Sequence, residues 1–271
     1  MKTPIVTLTT TWGSQGFFVG MVKGALMSMV EGVQVVDISH HVEPFNLIAA
    51  TFVVRHACMG FPPGTVHIID VSANPTAEHP FVVVKARGQY YICCDDGLPS
   101  MVSGDAIEAV VALPLKEHVT YNFAAYTLFT RVARDLLSGV PMEQVGVPHG
   151  QLLQRKLTGW SQQGDMYRIM IQYIDSYGNA YLGMSYKEFM ELRGGRGFLM
   201  RVREQVIVEV STSYYQQQTQ RLSSQEEQRR KLRLTVSATG QLELAYRDGS
   251  FAQLMGLRID DSVLLEFRDE Q

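Results

Sequence analysis

Pro4-Ile5-Val6-Thr7-Leu8-Thr9-Thr10, near the start of the chain, alternates and mixes β-branched and apolar residues over a length that suits a β-strand and is too short for a helix. Outward from it, Gly16 to Val30 carries Met21, Val22, Ala25, Leu26 and Met29 at 3.6-residue spacing, which specifies a helix. Val33 to Ile38 returns to β-branched residues. A second helix is expected from about Phe45 to Met59, where the turn Phe61-Pro62-Pro63-Gly64 stops it. Thr65 to Val71, Phe81 to Lys85 and Tyr90 to Cys93 read as further strands. Leu128 to Leu137 reads as a helix closed by Ser138-Gly139-Val140-Pro141. Strand and helix in alternation define an α/β domain, expected to hold a mostly parallel sheet with helices on its faces.

Past Gly150 the composition turns polar and glutamine-rich. The expected organisation is therefore an α/β domain over 1–150, a linker over 151–164 and a second domain over 165–271. In that second domain Met166 to Ile174, Phe198 to Val202, Gln205 to Val210, Leu232 to Val236, Gln241 to Tyr246 and Ser262 to Phe267 are short strand candidates, and together they suggest an all-β barrel. The run Gln216 to Arg233, with Gln216-Gln217-Gln218 and Arg229-Arg230-Lys231, reads as a solvated excursion between strands.

Composition narrows the function classes. Of 271 residues, 46% are hydrophobic and 19% charged, the balance of a folded globular chain. A net charge of -3 with both signs interspersed gives no basic face for nucleic acid. No apolar run reaches a membrane span and no signal peptide opens the chain, so a cytoplasmic protein with no membrane partner is expected. Cys58, Cys93 and Cys94 lack metal-ligand spacing and read as buried thiols. No metal site is expected.

Several segments, read in order, resemble the family of S-adenosylmethionine hydroxide adenosyltransferases and their halogenase relatives. They are Phe18-Val19-Gly20-Met21-Val22-Lys23-Gly24, Val36-Asp37-Ile38-Ser39-His40 with Pro44-Phe45-Asn46, and Phe61-Pro62-Pro63-Gly64-Thr65-Val66-His67. Asp95-Asp96-Gly97-Leu98 is similar to the family's Asp-Asn-Gly-Leu turn. Ile174-Asp175-Ser176-Tyr177-Gly178-Asn179 is similar to its Asp-x-Phe/Tyr-Gly-Asn signature, and Leu254-Met255-Gly256-Leu257 with Asp261-Ser262-Val263 to its C-terminal segment. The resemblance implies an α/β domain followed by a β-barrel. It also implies trimers with sites between subunits, and attack on the ribose C5′ carbon of S-adenosylmethionine, with no further cofactor.

That chemistry needs a grip on adenine, ribose and methionine in line with a positioned nucleophile. The resemblance places Asn179 at the purine edge, Phe45 and Tyr177 at its faces, Asp175 at the methionine ammonium and Asp95 in the ligand-binding set. It also exposes departures. Within Thr9-Thr10-Thr11-Trp12-Gly13, Thr11 stands where relatives place a ribose-binding aspartate, and Ser72 stands where they place the water-positioning aspartate. No arginine follows in that loop, and Phe123-Ala124-Ala125-Tyr126-Thr127 replaces a histidine-bearing segment. Asp70, two positions before Ser72 on the same strand face, and His79 in the following loop are the groups that can take over water positioning.

A halogenase is disfavoured, because Ala125 replaces the halide-binding serine and no insertion lies between Tyr91 and Asp95. Ala238-Thr239-Gly240 stands in place of a Ser-Arg carboxylate clamp. Three readings stay open at this level: an S-adenosylmethionine hydrolase with water positioned by Asp70, Ser72 or Asp95, a nucleoside-binding relative without turnover that keeps Asn179, Phe45 and Tyr177, and a fold used for assembly.

Overall fold

The computed structural model describes residues 3–72, 74–115, 121–211 and 231–269. The chain divides into two compact units, Met1–Lys156 and Leu157–Gln271. The division lies inside the segment expected as a linker, and part of that segment, Trp160–Gln163, is a strand.

The first unit runs β1 (Ile5–Thr10), α1 (Phe18–Met29), β2 (Gln34–Ser39), α2 (Leu47–Cys58), β3 (Val66–Asp70), β4 (Phe81–Ala86) and β5 (Gln89–Cys94). It continues through α3 (Leu98–Ser103), β6 (Ile107–Ala112), α4 (Thr130–Leu137), α5 (Met142–Val145) and β7 (Val147–Pro148). The seven strands lie in the order β2-β1-β3-β5-β4-β6-β7. β1, β2, β3 and β5 pair in parallel across long crossovers. β4, β6 and β7 join in antiparallel fashion.

The sheet is therefore mixed rather than mostly parallel. The cause is local: β4 and β5 are joined by Arg87 and Gly88, with φ of 54° and 70°. A two-residue connection with both φ positive can only close an antiparallel hairpin. Helix α2 starts at Leu47 rather than Phe45 because Asn46 caps it, its side chain accepting from the Ala49 N–H at 3.0 Å.

Alternation along the strands sorts the two faces. Val6, Leu8, Ile68 and Ile92 pack against Val22 and Leu26 of α1 and Val132 and Leu136 of α4. Thr7 and His67 point the other way, where Val54 and Cys58 of α2 are buried. Replacing a residue as enclosed as Leu8 by Ala costs about 2–5 kcal/mol at such sites.

The second unit holds β8 (Trp160–Gln163), β9 (Met166–Ile174), β10 (Ala180–Ser185), α6 (Tyr186–Arg193), β11 (Gly197–Val202), β12 (Gln205–Ile207) and β13 (Val210–Ser211). After these come β14 (Leu232–Val236), β15 (Gln241–Tyr246), α7 (Phe251–Met255) and β16 (Ser262–Arg268). Its sheet follows β12-β11-β16-β9-β10-β15-β14-β13, with β8 added on β9.

Among the described residues no pairing joins β12 to β13, and the unit is a strand-rich sheet curled into a half-barrel. Nor is the unit all-β. Ser185 and Glu188 form a reciprocal capping box that starts α6, and Ser250 caps α7 by accepting from Gln253 N–H. Ile169, Ile171, Leu182, Phe189, Leu244 and Leu265 lead its core. The polar run expected over 216–233 lies outside the described residues up to position 230. No helix among the described residues is long and apolar enough to cross a membrane.

Candidate functional site

In the first unit the parallel strands end side by side: Thr9 is level with Ser39, and Thr10 with Asp70. The crevice beyond the carboxyl ends of such strands is where α/β sheets place ligands. Asp70 is buried there, and the Trp12 indole N–H donates to its Oδ2 at 2.9 Å. Burial pushes the Asp70 carboxyl above the usual aspartate range, and the Trp12 hydrogen bond opposes that rise. Among the described residues no other side chain bonds Asp70.

Trp12 is itself fixed. Its ring stacks on His40 with centroids 5.9 Å apart and meets the edge of Phe123 at 5.1 Å. Its backbone N–H lies 3.4 Å from Thr10 Oγ1, and that hydroxyl is 2.8 Å from His40 Nδ1. His40 Nε2 lies 3.1 Å from Asp37 Oδ1, and Lys23 pairs with the same carboxylate. An aspartate thus sits at the end of a chain of held groups, with one oxygen engaged; Thr11, the residue after its strand partner Thr10, is half-buried.

The other residues singled out in this unit are arranged differently. Ser72 bonds Asp96, whose carboxyl is raised by burial and drawn back by Leu98 N–H, Ser72 and Arg155. Asp95 is fully enclosed: Oδ1 accepts from Leu153 N–H at 2.9 Å, and Oδ2 lies 3.1 Å from His149 Nε2 and 3.9 Å from His79 Nδ1. It holds the 149–153 segment and presents no surface. Phe45 has φ of 64°, a left-handed backbone that a bulky residue rarely takes, and the residue is 66% exposed. Strain of this kind concentrates at ligand contacts.

In the second unit the β9–β10 connection builds a compact box. Asp175 Oδ1 accepts from the N–H groups of Tyr177 and Asn179, both at 2.9 Å, and Oδ2 accepts from Asn179 Nδ2 at 3.1 Å. The Tyr181 hydroxyl reaches Oδ2 at 3.5 Å. The carboxylate fixes which way the Asn179 amide faces, leaving its carbonyl and one N–H for another partner.

Gly178, with φ of 81°, is required by this turn. A Cβ there would lie 1.9 Å from Ser250 Oγ. Asp175, Tyr177 and Asn179 line a cleft of about 700 Å3, with Tyr177 78% exposed. Arg233, Tyr246, Arg247 and Ser250 complete its wall.

The structure therefore gathers Thr11 and Asp70 at the strand ends of one unit, and Asp175, Tyr177 and Asn179 in the cleft of the other. Sequence reading missed Trp12, whose partner is 58 positions away. It also missed the Tyr246-Arg247 wall, which reads only as the end of a strand.

Residues 6–146 match the SAM hydroxide adenosyltransferase N-terminal domain, and residues 169–264 match the corresponding C-terminal domain. The chain belongs to the SAM hydroxide adenosyltransferase family. Among family relatives, the (R)-S-adenosyl-L-methionine hydrolase of Salinispora tropica is 23% identical over 267 residues, 96% of each chain. The enzyme of the same name from Methanocaldococcus jannaschii is 31% identical over 104 residues, 36% of this chain and 39% of that one. The fold is shared with an uncharacterized conserved protein from Thermotoga maritima, at a TM-score of 0.81 and 22% identity over 96% of this chain and 99% of that one. A conserved hypothetical protein from Thermus thermophilus follows at 0.69 and 20%, over 98% and 100%.

Proposed function

We propose that the protein hydrolyses S-adenosylmethionine to adenosine and methionine, with Asp70 as the group that positions and deprotonates water. The observation that carries this reading is the Trp12–Asp70 pair: a buried carboxyl at the strand ends, raised toward neutrality, with one oxygen anchored and the other without a side-chain partner among the described residues. A carboxylate of elevated pKa is the better base near neutral pH. The water oxygen attacks C5′ from behind. The C5′–S bond breaks, its electron pair leaves with the methionine sulfur and discharges the sulfonium, and the water proton passes to Asp70.

Binding roles follow the same division. Asn179, oriented by Asp175, meets the adenine edge, while Tyr177 and Phe45 offer ring faces. Asp175 faces the methionine ammonium, and Thr11 meets the ribose hydroxyls. Ser72 acts through Asp96 and supports the loop. No metal or separate cofactor takes part in this scheme. The protein acts as a cytoplasmic homotrimer in which neighbouring subunits supply the two sets of residues.

The test is incubation with S-adenosylmethionine followed by chromatography. Adenosine and methionine should appear in equal amounts above the protein-free control, and Asp70→Asn should lower the rate by about 10²–10⁴-fold, the usual worth of a positioned base. Product formation indifferent to Asp70→Asn would remove Asp70 from the scheme. Calorimetric binding of adenosine without product would instead support a nucleoside-binding relative, a reading favoured by Thr11 and by Ser72 being spent on Asp96.

A further inference from the structure

A cavity of the first unit, about 500 Å3, lies toward the opposite end of the strands from Asp70. Arg87 is in the β4–β5 turn, beside the end where β3 and β5 begin, since Tyr90 pairs with Val66. Val66 and Asp70 are separated by the length of β3, about 13 Å at the usual rise per residue. The cavity is lined by Arg55, in the last turn of α2, by Arg87, and by the end of α3, from Met101 to Ala106.

Three observations give it a chemistry. Arg55 and Arg87 are both exposed, and neither makes an ion pair or hydrogen bond with a described residue. The nearby carboxylate of Glu108 is already engaged, by Lys85 at 3.3 Å and by the Gly88 N–H at 2.7 Å. Ser103 is 2% exposed, and its hydroxyl has no hydrogen-bond partner, an arrangement native structures avoid unless something else supplies one.

We propose that this cavity binds a small phosphate-type oxyanion, held by the Arg55 and Arg87 guanidinium groups and by the Ser103 hydroxyl, at a site separate from the adenosyl-binding residues. Planar guanidinium forks suit phosphate oxygens, and a serine hydroxyl donates to an oxygen that carries no proton. Asp105 also lines the cavity. Its charge opposes any anion there in proportion to the charge that anion carries, so the preference for a phosphate-type ligand rests on the two guanidinium groups outweighing it.

The test is calorimetric titration of the full chain with inorganic pyrophosphate and, separately, inorganic phosphate at low salt. Saturable binding of one ion per chain is expected. It should weaken at least about tenfold in the Arg55→Ala/Arg87→Ala double variant, on the worth of a charge-assisted hydrogen bond. Ser103→Ala should weaken it by a smaller factor and Asp105→Asn should strengthen it. Asn179→Ala and Asp70→Asn should leave it unchanged, which separates the site from the hydrolase reading. Absence of saturable binding, binding that survives the double arginine variant, or equal competition by acetate would overturn the proposal.

Discussion

The strand-end cluster of the first unit and the cleft of the second are both polar, yet they are built in opposite ways. At the strand ends the polar groups are tied to one another in series, running inward from the solvent-facing Lys23 and Asp37 through buried His40 and Thr10 to Trp12 and buried Asp70. In the cleft a single carboxylate, Asp175, organises a short turn while Tyr177 stands out in solvent. Buried groups held in series suit chemistry, because their proton affinities shift and their positions are fixed. An exposed ring beside an oriented amide suits recognition, where the partner supplies the missing contacts. The difference predicts that variants in the first unit change rate and variants in the second change affinity.

The largest expected break in that comparison is Asp70→Asn. Turnover should fall by about 10²–10⁴-fold while binding of adenosine holds. The same variant should be more stable than the parent at neutral pH. The folded carboxyl titrates above its unfolded value, so the folded state binds more protons and stability falls as pH rises through that interval. Asparagine removes this loss. A variant that loses activity and stability together would mark Asp70 as structural.

Next in size is Gly178→Ala. Strain at positive φ and collision with Ser250 should cost about 1–3 kcal/mol and displace Asn179, read as a lower Tm and a weaker adenosine Kd. Thr11→Asp sharpens the contrast in the other direction. A carboxylate for the ribose hydroxyls should tighten adenosine by about 1.5–3 kcal/mol, measured by calorimetry.

The smallest effect belongs to His67, which bonds Thr7 Oγ1 at 2.7 Å and stacks on Tyr91. Burial lowers its pKa to about 4, with Gln89 opposing. Its contribution is fully present above the unfolded value of 6.5 and is lost as pH falls from there toward 4. The unfolding free energy from urea titrations should therefore drop between pH 7 and pH 5, by no more than about 1.4 kcal/mol per pH unit from this group, and His67→Gln should flatten that slope.

Much of this architecture is legible in the chain. β1, β3, β9, β14 and β15 are read to within a residue or so at each end, because each is an apolar run bounded by turn residues. β10 is not. Gly183 interrupts its pattern, and the reason lies outside the strand: a Cβ there would fall 2.4 Å from Gly159 Cα, so the glycine answers a backbone passing close by. Helix α6 is legible in principle from Ser185 and Glu188 at capping-box spacing. In the site, Asn179 and Tyr177 are visible because a short turn carries them. Trp12 becomes visible only when β1 and β3 lie side by side and bring it to Asp70, a relation that no local pattern encodes.

The Arg87-Gly88 hairpin bears on how the first unit forms as well as on what it becomes. β4, β5 and β6 all lie between Phe81 and Ala112 and pair through short sequence separations, whereas the β1, β2 and β3 pairings each wait on a helical crossover. Loop closure favours near neighbours, so the antiparallel half should assemble first and offer the edge of β5 as the template on which β3, and then β1 and β2, are laid. The carboxyl ends that carry Asp70 would then be among the last parts of the sheet to find their places.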